Sequence, residues 1–541
     1  MQGIMQNWPL TVDKVLEHAA QNHFDREIVT RSVEGPIVRT TYGELIGRAK
    51  QVSAALLDLG IGMGDRVATL AWNSALHMEC WYGAMGIGAV LHTVNPRLHP
   101  DQIAWIANHA EDRILILDTS FVPLIEAAKD KFETIEKFVI LTDPENMPET
   151  SFEAVSYELW IDGHRQDTAW GGFDENTACG LCYTSGTTGN PKGVLYSHRT
   201  NVLHTLITLA PDVMGIGARD VVLPVVPMFH ANAWGLAFSC PAVGAKMVMP
   251  GAQMDGASIY QLLSEEKVTV TAAVPTVWLM LLNYLQENKL DLPHLNKVII
   301  GGSAVPERIL RTFEVDYGVD VVHAWGMTET SPLGTLGALL PKDADADIDT
   351  RITQKLKQGR PPFGVELKVV DDEGNTLPRD AKTSGRLMIR GAAIASGYFK
   401  GDGGDVLDDE GFFDTGDVAN LCPWGTMQIT DRAKDVIKSG GEWISSIDLE
   451  NIAVGHPKVA NAAAIGIYHP KWDERPLLVV QPAPGETPTK EEILAQLEGK
   501  IAKWWTPDDV AFVDEIPLGA TGKINKMKLR DMFKDYTLPT A

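Results

Sequence analysis

The chain is poor in cysteine, in basic residues and in unbroken apolar sequence, and each shortage removes a class of protein. Its 541 residues include five cysteines, at positions 80, 179, 182, 240 and 422. An odd number spread over so long a chain is not a disulfide framework, and a reducing cytoplasm is the expected setting. Lysine and arginine total 47 against 71 aspartate and glutamate, a formal charge of −24. That balance repels nucleic acid and anionic membrane surfaces, so an anionic substrate must be held by locally placed cations. The longest apolar stretch, residues 268–282, is interrupted by Thr269, Thr271, Pro275 and Thr276 and falls short of the ~18 residues of a membrane span. The N-terminus lacks the basic start and apolar run of a signal peptide, so no targeting segment is expected.

What the chain does have is length and apolar material, 45% of its residues, which is enough for two or more cores. Between Arg66 and Glu329, β-branched runs at 66–71, 112–117, 220–226, 268–274, 297–300 and 320–322 alternate with helical patterns. This alternation predicts an α/β fold of layered, mostly parallel sheets. Over 359–430 the helical pattern vanishes and Gly, Asp and Pro punctuate short strands at 365–370 and 385–390, which predicts a β subdomain. After Asp431-Arg-Ala-Lys the character changes again. Strands are expected at 460–468 and 477–481, and Thr489 with Glu492 forms a capping box before a helix carrying Ile493, Leu494, Leu497 and Ile501 on one face. The resulting division is a large N-terminal domain over 1–430, a junction at 431–434 and a small α+β C-terminal domain over 435–541.

Two stretches are read as structural. Cys179 and Cys182 have redox or zinc spacing, but no second Cys/His pair accompanies them and their apolar surroundings predict a buried strand. The acidic run 343–349 lacks the glycine and closing glutamate of a calcium loop and is expected to be a solvated connection.

The most informative segment, residues 183–194, reads Tyr-Thr-Ser-Gly-Thr-Thr-Gly-Asn-Pro-Lys-Gly-Val. Glycines leave backbone N–H groups free to face phosphate oxygens, hydroxyls add donors and Lys192 adds a full charge. Pro191 stands where a P-loop would need glycine, so that motif is excluded. The segment resembles the phosphate loop of the acyl-adenylate-forming superfamily, which contains acyl-CoA synthetases, luciferases and the adenylation domains of peptide synthetases. Four further segments match that superfamily in the same order: Gly-Gly-Ser-Ala-Val-Pro at 301–306, His-Ala-Trp-Gly-Met-Thr-Glu at 323–329, Phe-Asp-Thr-Gly-Asp at 413–417 with Asp-Arg-Ala-Lys at 431–434, and Pro-Leu-Gly-Ala-Thr-Gly-Lys at 517–523.

The resemblance implies ATP, Mg²⁺ and coenzyme A as cofactor and co-substrates, a small carboxylic acid as the other substrate, and a homodimer. It assigns the nucleotide to Thr184, Ser185, Gly186, Thr187, Thr188 and Lys192, to Gly302, Ser303 and Ala304, and to His323, Ala324, Trp325, Gly326, Met327 and Thr328. Asp417 is expected on the ribose hydroxyls with Arg432 assisting, and Thr184 and Glu329 on the metal. The superfamily more often has Tyr where Trp325 stands; the indole keeps a stacking face and loses the phenol hydroxyl. Lys523 is the implied catalytic lysine of adenylation, and Lys434 the implied pivot of a mobile C-terminal domain. The loop with Lys438, Gly440, Gly441 and Glu442 is implied to replace Lys523 for thioester formation.

The acid should be selected by residues 227–235 together with Gly302 and Gly326. His230 and Trp234, four apart, would reach one cavity if that segment is helical. An indole at the cavity end predicts a short or medium acyl chain. Adenylation that loads a carrier protein is a different class and would need a phosphopantetheine-bearing domain; none follows Ala541, so free coenzyme A is expected. A nucleotide sensor without catalysis is a third class, disfavoured because Lys523, Glu329 and Asp417 are all present.

Overall fold

The computed structural model describes residues 1, 3–184, 190–440, 442–519 and 523–541. Two large sheets organise the first 340 residues. The seven-stranded sheet runs Ala154–Ser156, Lys137–Ile140, Asp112–Leu117, Arg66–Leu70, Val90–Thr93, Ala178–Thr184 and Lys192–Ser197. Its neighbours are parallel except for the last pair. The eight-stranded sheet runs Leu333–Leu336, Asp320–Gly326, Lys297–Ile300, Val270–Ala273, Val221–Pro224, Lys246–Met249, Glu27–Arg31 and Ile37–Thr41. It too is parallel except at its two edges.

The main core lies between the sheets and combines Val67, Leu91 and Ile114 of one with Val222, Met247 and Ile299 of the other. The helix Ala75–Gly86 sits in this layer, its sequence Ala-Leu-His-Met-Glu-Cys-Trp-Tyr-Gly-Ala-Met-Gly apolar nearly all round, with Trp81 and Tyr82 fully buried. A helix without a polar face has no stable place on a surface. Cys179 and Cys182 lie buried in Ala178–Thr184 with free thiols, as their apolar context predicts.

Four antiparallel strands, Val365–Val370, Gly385–Gly391, Phe413–Leu421 and Met427–Arg432, make the β subdomain. The last strand includes Asp431 and Arg432, so the expected junction at 431–434 begins inside a sheet. The acidic run also differs from expectation. The helix Ile348–Lys355 starts within it, and Asp347 caps that helix by accepting the Thr350 N–H at 2.9 Å. Asp-to-N–H capping satisfies an orphan donor and turns a nominal connection into a helix start.

The C-terminal part is a five-stranded sheet built around the hairpin Val459–His469 and Asp473–Pro482. Thr489 and Glu492 form the predicted capping box. The helix they open, Lys490–Leu497, is shorter than expected: Glu498 turns extended and Gly499 adopts φ +75°. Ile501 therefore meets the same apolar cluster from the following turn rather than from the helix. No described helix is long and apolar enough to cross a membrane.

Candidate active site

The candidate site forms where the carboxyl ends of strands from both large sheets meet the β subdomain, the usual place for ligands on α/β sheets. Thr184 ends one strand and pairs in register with Lys192, which starts the next. Ser185, Gly186, Thr187 and Thr188 of the intervening loop, together with Gly441 in the C-terminal part, lie outside the described residues. The Lys192 ammonium stands 4.9 Å from the centroid of the Tyr398 ring. Among the described residues it makes no ion pair, which leaves its charge available to an anion.

Gly302 to Ala304 form the turn after Lys297–Ile300, and Gly302 has φ +86°, a value that favours glycine. Ser303 is exposed and Ala304 half-buried. His323, Ala324, Trp325 and Gly326 share the strand Asp320–Gly326. His323 is buried against the Leu356 carbonyl, 3.0 Å from Nδ1, and burial pushes its pKa down to about 4, so it is neutral at pH 7. A Cβ at Gly326 would fall 1.7 Å from the Pro332 carbonyl oxygen, so no side chain fits there. Met327 packs on the β subdomain core and Thr328 accepts at its carbonyl from the Tyr196 hydroxyl at 2.7 Å.

Trp325 differs from expectation in what it offers. Its indole is buried within the β subdomain core, and its Nε1–H donates to Asp417 Oδ2 at 2.9 Å. The other oxygen, Oδ1, is 3.3 Å from Arg432 Nε, whose residue is the register partner of Asp417. A buried carboxylate gripped by an indole and a guanidinium is held in one orientation. The indole thus supplies a donor where the missing phenol hydroxyl left one in question.

Glu329 is 4% exposed, and burial raises its pKa despite the hydrogen bond from Tyr398. The Tyr398 hydroxyl donates to Oε1 at 2.6 Å, and the Ala395 N–H donates to the Glu329 carbonyl at 2.8 Å. Among the described residues no group of three His, Cys, Asp or Glu side chains gathers to cage a metal ion. One buried carboxylate suits Mg²⁺ instead, which is usually held by one or two carboxylates and the substrate phosphates.

Lys523 arrives from the C-terminal part. Burial pushes its pKa down to about 8; the cations Arg432 and Lys434 lower it further while Asp417 and Glu329 oppose them. The same lysine, with Arg97, reinforces the effect of burial on His230, whose pKa falls to about 4. These couplings place Lys523 within electrostatic reach of Asp417, Glu329, Arg432 and His230. Lys438, by contrast, is exposed and donates its N–H to Glu474 at 3.0 Å, and Gly440, at φ +59°, packs beside Trp472 and Trp504. Lys434 is exposed at the junction, and the Glu442 backbone belongs to the strand Glu442–Ile444.

The segment after His230 is not a right-handed helix. Ala231, Asn232, Ala233, Trp234 and Gly235 all have positive φ, between 43° and 80°. For each non-glycine residue this costs roughly 1–2 kcal/mol, so surrounding contacts must enforce it. Asn232 provides one: it is buried and donates to Asn201 Oδ1 at 3.4 Å. The turn directs the Trp234 indole against Gly301, where an added Cβ would lie 3.1 Å from the ring. His230 and Trp234 therefore belong to the same region of the molecule, carried by a left-handed turn.

Sequence reasoning missed Tyr398 and Arg97. Tyr398 lies 69 residues from Glu329 in a segment with no recognisable motif. Arg97 follows Asn95-Pro96 in a short loop whose neighbourhood to His230 exists only in the folded chain.

Comparison with known proteins agrees with this geometry. The model of the AMP-binding enzyme family matches residues 16–399, and that of the AMP-binding enzyme C-terminal domain matches 448–523. A 3-methylmercaptopropionyl-CoA ligase of Ruegeria lacuscaerulensis is 50% identical over 99% of both chains. A medium-chain-fatty-acid–CoA ligase of Ectopseudomonas oleovorans is 45% identical over 100% of this chain and 99% of its own. The crystal structure of the anthranilate CoA ligase AuaEII with anthranoyl-AMP superposes with a TM-score of 0.87 at 26% identity, covering 98% of this chain and 99% of that one.

Proposed function

The chain belongs to the AMP-binding enzyme family and is an ATP-dependent acyl-CoA ligase, and from that premise we propose that its acid is 3-methylmercaptopropionate. The observation that supports the mechanism is the electrostatic coupling of Lys523 to Asp417 and Glu329, which suits a lysine acting in adenylation.

In the first half-reaction an oxygen of the acid attacks the α-phosphorus of ATP, the bond to the β-phosphate oxygen breaks, and acyl-adenylate and pyrophosphate form. Lys523 stands between two anions and neutralises charge as it develops, a preorganised contribution typically worth ~10²–10³ in rate. Asp417, fixed by Trp325 and Arg432, accepts hydrogen bonds from the ribose hydroxyls. Thr184 to Thr188 and Lys192 hold the leaving phosphates. Glu329 with Thr184 would hold Mg²⁺, whose chemistry is to neutralise phosphate charge. No protein nucleophile is required: holding two anions together and excluding water from the mixed anhydride is the catalysis.

In the second half-reaction the thiol sulfur of coenzyme A attacks the acyl carbon, AMP leaves and the thiol proton passes to solvent. For this step the C-terminal domain turns about Lys434 and presents Lys438, Gly440, Gly441 and Glu442 to the site. We further propose a cytoplasmic homodimer, in keeping with the free thiols and the superfamily resemblance.

His230 and Trp234 bound the acyl cavity, with Gly302 and Gly326 admitting the acyl carbonyl. The likeness at 50% identity to a 3-methylmercaptopropionyl-CoA ligase supports the thioether acid, and that at 45% to a medium-chain ligase keeps unbranched fatty acids as the alternative. Replacing sulfur by methylene changes an apolar contact little, and a whole methylene is worth only ~1–3 kcal/mol.

Pyrophosphate release with acetate, butyrate, hexanoate, 3-methylmercaptopropionate, benzoate and palmitate tests the assignment. The expected outcome is highest kcat/KM for 3-methylmercaptopropionate or an acid of about four to six carbons, the isosteric pair lying within roughly tenfold. Trp234→Ala should move the optimum to longer chains. A preference for acetate, benzoate or palmitate would refute the cavity reading.

A further inference from the structure

Tyr398 touches both ends of the phosphate-binding machinery. Its hydroxyl donates to Glu329 Oε1 at 2.6 Å, and the Lys192 ammonium lies over its ring at 4.9 Å from the centroid. The segment that carries it is fixed on both sides: the Ala395 N–H donates to the Glu329 carbonyl at 2.8 Å, and the tyrosine packs edge-on against Phe413 at 6.2 Å. It also joins the small apolar cluster of Cys182, Val194 and Tyr196, which belong to the two strands flanking the phosphate loop.

Two consequences follow from electrostatics. A carboxylate with one oxygen committed to a phenol has a fixed plane, and its second oxygen is directed to a single donor or cation. A lysine over an aromatic face keeps its full charge and all three N–H donors, because the ring attracts it without consuming a donor. Were the ring absent, Lys192 and Glu329 could form a direct ion pair, and each would satisfy the other instead of a phosphate and a metal.

We propose that Tyr398 is a positioning residue that holds Glu329 for a divalent cation and Lys192 for the nucleotide phosphates while keeping the two charges apart. This rests on the assignment of Glu329 to the metal. The catalysed steps do not involve the phenol itself.

Manganese binding by the full-length protein tests this without reference to turnover. Free Mn²⁺ is followed by electron paramagnetic resonance during titration in the presence of α,β-methylene-ATP, and metal-free affinity for the same analogue is measured in EDTA. Tyr398→Phe keeps the ring and loses the hydroxyl, so Mn²⁺ affinity should fall roughly tenfold, the scale of one hydrogen bond to a charged group, with metal-free nucleotide affinity unchanged. Tyr398→Leu should weaken both. The thermal melt of the Phe variant should match wild type, and if the Leu variant does not fold, the Phe variant alone carries the test.

Glu329→Gln separates the two ideas. If it binds Mn²⁺ poorly while Tyr398→Phe binds like wild type, the positioning role is refuted and the metal assignment stands. If Glu329→Gln itself binds like wild type, the metal assignment falls and the proposal with it. Comparable losses in Tyr398→Phe, Glu329→Gln and the double variant, with no further loss on combining them, support the proposal.

Discussion

With Lys523 as the proposed adenylation lysine, adenylation should titrate with the protein, and the direction follows from its surroundings. The side chain has a pKa of about 8 because burial disfavours the ammonium and Arg432 and Lys434 repel it, against the attraction of Asp417 and Glu329. The active form is protonated, so activity is present below the folded pKa and lost as pH rises through it. With a pKa of about 8, roughly nine-tenths of the enzyme is charged at pH 7 and about one-tenth at pH 9. The kcat/KM for ATP, which reports the enzyme before ATP binds, should therefore fall roughly tenfold between pH 7 and pH 9. Bound ATP adds negative charge beside the ammonium and raises its pKa, so the limb in kcat should sit at higher pH than the limb in kcat/KM.

Pyrophosphate release at 3-methylmercaptopropionate saturation, with ATP varied from pH 6 to 10, measures both limbs. Lys523→Ala should lower the plateau by ~10²–10³ and abolish the limb. Lys523→Arg, whose charge persists across the range, should remove the limb at a reduced plateau. The reaction of coenzyme A with supplied acyl-adenylate should lack this alkaline loss, since Lys523 is proposed to act only in adenylation. A wild-type kcat/KM that is flat from pH 7 to 9.5 would refute the argument, as would the same limb persisting in Lys523→Ala.

Trp325→Phe removes the indole donor from the buried Asp417 while Arg432 remains at 3.3 Å, so KM for ATP should rise roughly tenfold with a smaller change in kcat. Steady-state kinetics with ATP varied checks this, and an unchanged KM would show that the indole only fills space. Lys526 donates to Glu450 at 2.7 Å with both side chains largely buried, and Ser446, which it also contacts, is bonded to Asp431 at the junction. Lys526→Met should cost about 3 kcal/mol in urea unfolding because it strands buried carboxylates, and a loss below about 1 kcal/mol would contradict that reading.

The parts of the site that were legible in the sequence are contiguous and lie at strand ends. A run such as residues 183–194 points to phosphate because glycine, hydroxyls and lysine suit it together, and the strand before it follows from the apolar run 178–182. The left-handed turn gives no such signal. Ala231 and Ala233 adopt φ of 43° and 50°, conformations that alanine does not favour, so local preference argues for a right-handed helix and tertiary packing overrides it. A signal is equally missing wherever one functional group depends on another far along the chain. Trp325 and Asp417 are 92 residues apart, and their contact exists because the β subdomain folds over the end of the strand Asp320–Gly326. Glu329 and Tyr398 meet for the same reason. Motifs therefore pick out the groups proposed to touch the nucleotide, while the contacts that orient them, Trp325 on Asp417 and Tyr398 on Glu329, join the large sheet to the β subdomain and leave no local signal. Substitutions in the 393–401 segment of that subdomain should alter metal and nucleotide affinity, because Tyr398 contacts Glu329 and Lys192, the residues proposed to hold metal and phosphate.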